Sequence, residues 1–173
     1  MRARTVLAMA VLAGCTPGAR MAVEDAAGFN VQLVNAQGEP VGTLRVTPHD
    51  DGSFLALSMA RLPPGVHGVH LHAVGRCDTP DFTTAGPHLN PNGRQHGSRN
   101  PQGPHLGDLP NMTVGADGGG TLTAVVHAYL AANSPLLDAD GTAIVVHAAA
   151  DDLATDPSGS SGARIACGVI HPR

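Results

Sequence analysis

Between His67 and Asp108 the chain concentrates side chains that bind metal ions. The stretch reads His67-Gly-Val-His70-Leu-His72, then Gly86-Pro-His88, Arg94-Gln-His96-Gly and Pro104-His105-Leu-Gly-Asp108, and a further histidine follows in Val145-Val-His147. Imidazole and carboxylate are the ligands that suit divalent zinc and copper. Ten of the 173 residues are histidine and six of those fall in this stretch, against one tyrosine, three phenylalanines and no tryptophan in the whole chain. An isolated histidine reads as a surface or satisfied core residue, but this density predicts metal sites.

These residues need a frame to bring them together. His70 and His72 are two apart in Val66-His-Gly-Val-His-Leu-His72, and a strand's period of two points both to one face, where one ion can take both. His88 follows a Gly-Pro turn and begins a loop rich in Gly, Pro and Asn that carries His96, His105 and Asp108. Such a loop buries little apolar surface, so a closed zinc site is expected to order it, since metal binding there is also folding free energy. Strands are predicted at 29–35, 41–47, 54–60, 66–72, 111–114, 120–127, 143–147 and 164–170, with turns at Gln37-Gly38, Asp51-Gly52, Asp117-Gly118 and Asp140-Gly141. Many short strands with glycine-rich turns predict an all-β antiparallel sandwich or barrel of eight strands. Two long loops interrupt it, 76–109 and 148–162, and loops of that length in a compact domain are usually functional.

At these positions the sequence resembles the copper/zinc superoxide dismutase family. The motifs are His70-Leu-His72, Ala85-Gly-Pro-His88-Leu-Asn-Pro91, Gln95-His96-Gly97, His105-Leu-Gly-Asp108-Leu, Val145-Val-His147, Asp151-Asp152-Leu153 and Gly162-Ala-Arg164-Ile-Ala-Cys167-Gly-Val-Ile170, in the family's order from about Gly28 to Ile170. The resemblance implies an immunoglobulin-like Greek-key sandwich or barrel. It implies one copper held by His70, His72, His88 and His147, and one zinc held by His88, His96, His105 and Asp108, with His88 bridging the two ions through its two ring nitrogens. Asp151 matches the carboxylate that links a copper-ligand and a zinc-ligand histidine, here His70 and His96, and so fixes their orientation. His67 matches a histidine that braces the site without binding metal. His49, His127 and His171 match no ligand.

The implied activity is dismutation of superoxide to dioxygen and hydrogen peroxide, with copper cycling between oxidation states and zinc organising the site. Arg164 matches the arginine that holds the anion beside copper, and His88 would take and return a proton. A non-catalytic copper/zinc carrier or buffer on the same fold is the alternative, and such a carrier would be expected to lose ligands or the arginine. In the resembled family, cysteines corresponding to Cys77 and Cys167 form an intramolecular disulfide. The segment from Leu153 to Ala163 holds a single charge, Asp156, and the chain has no lysine. Attraction of the anion is therefore expected mainly from the metals and Arg164, and Arg94 and Arg99 matter only if their loop folds toward the copper channel.

Residues 1–14 read as an export signal. Arg2 and Arg4 precede an apolar run from Val6 to Ala13, too short to span a bilayer, and Leu12-Ala-Gly-Cys15 resembles a bacterial lipobox. Cleavage there would leave Cys15 lipidated, 15–27 as a tether and 28–173 as the domain. Three cysteines is an odd count for an exported chain unless one is otherwise used, and a disulfide requires an oxidising compartment. The periplasmic side of the envelope is expected, with membrane attachment only through the N-terminal lipid. Thr16 after Cys15, in place of aspartate, points to the outer membrane by resemblance to lipoprotein sorting. Without Arg2 and Arg4 the chain has eight basic residues against fourteen acidic ones, which argues against a nucleic-acid partner. A homodimer is left open.

Overall fold

The computed structural model describes residues 28–171. Residues 1–27, with the export signal, Cys15 and the tether, lie outside the described residues. Nine strands form one antiparallel sheet: β1 (Phe29–Asn35), β2 (Pro40–His49), β3 (Gly52–Met59), β4 (Gly65–His67), β5 (Val69–His72), β6 (Met112–Val114), β7 (Gly120–Val126), β8 (Thr142–His147) and β9 (Arg164–Ile170). Their order is β4-β6-β7-β3-β2-β1-β9-β8-β5. Curling this sheet brings β4 and β5, neighbours in sequence, to its two ends, so it almost closes on itself.

Eight strands were expected and nine are found, because Gly68 divides the fourth. Its amide donates to Ala149 O at 2.8 Å and its carbonyl accepts from His147 N at 2.9 Å, so its backbone groups serve the junction with the last long loop. The core follows the strands' alternation. Val31 and Leu33, Leu55, Leu57 and Met59, Val69 and Leu71, and Ile144 and Val146 all point inward and are almost wholly buried. On β2 the inward residues Val41, Leu44 and Val46 break the period of two. The register with β1 shifts between Leu33 and Val34, and an extra residue at such a bulge re-aims the side chains beyond it.

The other face of β5 and β8 positions the histidines. Leu71 pairs with Ile144 and faces the core, while His70 pairs with Val145 and His72 with Ala143, turned away from it by the pleat. Every residue of β8 is buried, because loops cover its outer face. A segment with a short 3-10 turn, Thr83–Ala85, seats the fully buried Phe82 against Ala143, Val145 and Cys167. A disulfide joins Cys77 to Cys167 across 90 residues, which agrees with the expected pairing.

Candidate metal centre

The two long loops meet over the outer face of β5 and β8. Arg99 N donates to Leu153 O at 2.9 Å, and Asn111 clamps the Asp151 backbone from both sides, each bond 2.8 Å. At the crossing only glycine fits. Gly97 has φ +95°, and a Cβ there would lie 2.1 Å from Leu153 O.

Each predicted residue has a definite place. His70, His72, His88 and His147 offer ring nitrogens within 4.8 Å of one another, and all four are buried. His88 reaches this group from its loop through an isolated bridge between His72 and His88. Its Nδ1 lies on the opposite side, 3.0 Å from Asp108 Oδ1. That same oxygen is 3.0 Å from His96 Nδ1 and 3.2 Å from His105 Nδ1, and His105 Nδ1 is 3.4 Å from His88 Nδ1. Mutual distance alone would also group His70 with His88, His96 and Asp108. That second grouping holds His70 in place of His105, whose Nδ1 nevertheless lies 3.2 Å from Asp108 Oδ1.

The residues fit metal ions on two grounds. Five buried ring nitrogens have no hydrogen-bond partner: His70 Nδ1, His72 Nε2, His88 Nε2, His96 Nδ1 and His147 Nε2. Buried polar atoms are nearly always satisfied, and four of these five belong to the first quartet. In the second, His96 Nε2 faces Asp151 Oδ1 at 2.9 Å. With its proton there, His96 turns a bare Nδ1 lone pair toward the Asp108 carboxylate, 3.0 Å away, an arrangement that a cation between them relieves. Zinc bonded to nitrogen or oxygen at about 2.0–2.2 Å in a tetrahedron places its ligands about 3.3–3.6 Å apart, and the contacts of 3.0–3.4 Å among Asp108, His88, His96 and His105 come close to that spacing.

Outer nitrogens are held in turn. His72 Nδ1 donates to Gly86 O at 2.8 Å and His147 Nδ1 to Gly162 O at 3.1 Å. Both ring nitrogens of His67 face carbonyls, of His147 at 2.7 Å and Pro63 at 2.8 Å, so it braces the chain at His147 from outside the quartets. Asp151 spans His70 and His96. Gly159 packs against it with φ +61°, where a Cβ would fall 1.7 Å from Asp151 Oδ1.

Electrostatics keep these groups in the forms that bind cations. Burial lowers the pKa of His72 to about 2, against the opposing pull of the Gly86 carbonyl. It lowers His147 to about 3, opposed by Gly162 O, and His88 to about 4, opposed by Asp108. A neutral imidazole keeps a lone pair free for a metal. Burial alone would raise the Asp151 pKa, but the bonds from His70 and His96 outweigh it and hold it at about 2. Asp108 is likewise pushed up by burial, yet donors from His88, Gly97 N and His105 N carry it well below the carboxylate range.

A cleft of about 950 Å³ opens onto His72, His88 and His147. Arg164 lines it, its guanidinium fixed by bonds of 2.6 Å to Phe82 O and 2.7 Å to Gly86 O. Its charge also opposes protonation of His72 and His147. Two features of the cleft were not legible in the sequence. Arg94 lines it too, anchored through Nη2 to Gly103 O at 2.8 Å, so its loop does fold toward the channel. Asp156, counted only as a lone charge, accepts from His96 N at 2.7 Å. His49 and His127 lie elsewhere, at the β2–β3 turn, where His49 Nδ1 accepts from Asp51 N and His127 Nδ1 donates to Asp51 O.

Residues 41–170 match the family described as copper/zinc superoxide dismutase (SODC). The superoxide dismutase-like protein YojM of Bacillus subtilis (strain 168) is 43% identical over 161 residues, 89% of this chain and 81% of that protein. Superoxide dismutase [Cu-Zn] of Caulobacter vibrioides is 45% identical over 138 residues, 77% of this chain and 79% of that protein. Among solved structures, a double variant with two introduced histidines of a superoxide dismutase-like protein from Bacillus subtilis superposes with TM-score 0.80 at 44% identity, covering 84% of this chain and 99% of that one.

Proposed function

From the chain's membership of the copper/zinc superoxide dismutase family, whose two metals its histidine and aspartate groups suit, we propose that it dismutates superoxide. Two superoxide anions and two protons give one dioxygen and one hydrogen peroxide. Bound copper would supply the one-electron couple, with zinc a fixed charge beside it. His70, His72, His88 and His147 would hold copper, and His88, His96, His105 and Asp108 zinc.

The observation that carries this reading is His88. Its Nδ1 lies in one donor cluster and its unpartnered Nε2 in the other, so one ring serves both. Nε2, buried and without a hydrogen-bond partner, is placed to hold a proton between the two half-reactions. Arg164, its guanidinium aimed by two carbonyls, binds the anion at the cleft floor with charge-assisted hydrogen bonds. Asp151 keeps His70 and His96 in the tautomers that turn Nδ1 inward.

Protein loaded with one copper and one zinc is expected to disproportionate superoxide. Arg164→Ala should lower its rate roughly 10–100-fold, the equivalent of the ~1.5–3 kcal/mol of a hydrogen bond to a charged group. With Arg94 at the rim, some salt dependence should survive that substitution and fall further in Arg94→Ala/Arg164→Ala. A second reading, a copper/zinc carrier, draws on the relationship to a protein described only as superoxide dismutase-like. Full loading with both metals and no turnover would favour it.

The disulfide and the bacterial relatives support an oxidising, periplasmic location. Residues 1–14 would be the export signal and Cys15 the lipid anchor of a domain spanning 28–173. Cys15→Ser should lose stable membrane attachment or accumulate uncleaved precursor, read by fractionation and immunoblot. A mature, fully membrane-bound product would contradict the lipobox reading.

A further inference from the structure

An acid at the rim of a cleft that receives an anion repels its substrate, so Asp156 calls for a task other than steering. Its Oδ1 accepts from His96 N at 2.7 Å and lies 3.8 Å from His105 Nε2. The histidines around the two clusters show a pattern. The outer nitrogens of His70 and His96 bond to Asp151, that of His72 to Gly86 O, and that of His147 to Gly162 O. His88 uses both nitrogens inward. For His105, whose Nδ1 is turned toward Asp108 and His88, the group facing the outer nitrogen is Asp156.

The geometry points to Asp156 as a positioning residue for the zinc half of the centre. Through one oxygen it anchors the His96 backbone and holds His105 with its proton on Nε2 and its lone pair on Nδ1. The inference rests on the zinc reading above and adds a residue to it. At 3.8 Å the contact is too long for a direct hydrogen bond, and with the Asp156 side chain 51% exposed a bridging water can complete it. Asp151 grips the centre where the 148–163 loop leaves β8, and Asp156 would grip it again five residues on. Histidine ligands depend on such partners for tautomer and basicity, and losing one typically costs 10–100-fold in metal affinity.

Asp156→Asn keeps an oxygen that accepts from His96 N and removes the negative charge that the same oxygen presents to His105, so it tests whether that charge supports the ligand. Zinc affinity is measured by competition with a chelator. Cobalt(II) placed in the zinc cluster reports its ligand field by visible absorption, and thermal unfolding of the metal-free protein serves as control. Asp156→Asn is expected to bind zinc about tenfold more weakly, with a shifted cobalt spectrum and an unchanged metal-free midpoint. Asp156→Ala should be at least as weak. Wild-type zinc affinity and cobalt spectrum in Asp156→Asn would overturn the proposal, leaving only a loop tie. So would weaker zinc binding accompanied by a lower metal-free midpoint and an unshifted spectrum. A wild-type protein that takes no zinc at this cluster would overturn the zinc reading itself, and the unsubstituted chain alone reveals that case.

Discussion

His88→Ala is expected to release both metals at once and to abolish turnover. On the proposed assignment the substitution takes a donor from each quartet, since Nδ1 sits 3.0 Å from Asp108 Oδ1 while Nε2 is buried without a partner. Each affinity should fall by more than the roughly 100-fold that follows loss of a mere outer hydrogen-bond partner. His127→Ala, at an exposed position on the far turn, should change neither. Metal content after dialysis against a chelator, together with a superoxide disproportionation assay, reads the result. Retention of both metals with full activity in His88→Ala would refute the bridging assignment.

Opening the disulfide should have the largest effect on stability. Cys77 and Cys167 close a loop with a sequence separation of 90, and in the chain-entropy model a crosslink of that span contributes ~4.6 kcal/mol. Domains of this kind are stable by only about 5–15 kcal/mol, so Cys77→Ala should take much of that. Phe82, fully buried beside Cys167, would still hold the segment with about 2–3 kcal/mol of apolar burial, which is the smaller term. The damage should reach catalysis, because the freed segment carries the Phe82 and Gly86 carbonyls that aim Arg164. Chemical denaturation of the oxidised protein and of Cys77→Ala measures the difference. A loss under about 1 kcal/mol would show that packing, not the crosslink, secures this segment.

The frame was largely legible because strands announce themselves by alternation. β1 and β9 have the bounds that the pattern predicts, and other strands differ by one or two residues at their ends. The break at Gly68 was not legible, since it depends on the Ala149 carbonyl some eighty residues away. The disulfide agrees with what family resemblance implied. For the site, residue types and spacing named the histidines that the structure gathers on the outer face of β5 and β8. They could not name Arg94 or Asp156 as its neighbours. Both stand on loops without periodicity, whose paths are set by contacts such as Arg99 N to Leu153 O and by the close approach at Gly97. Sequence spacing carries no record of such crossings.

The two cations of the cleft, Arg94 and Arg164, have a chemical permanence that amines lack. A guanidinium resists the mild acylation that consumes the free amine of a lysine. With no lysine anywhere in the chain, acylating or carbamylating reagents find no side-chain amine to neutralise. Attraction of the anion is thereby insulated from reagents that would erase a lysine's charge.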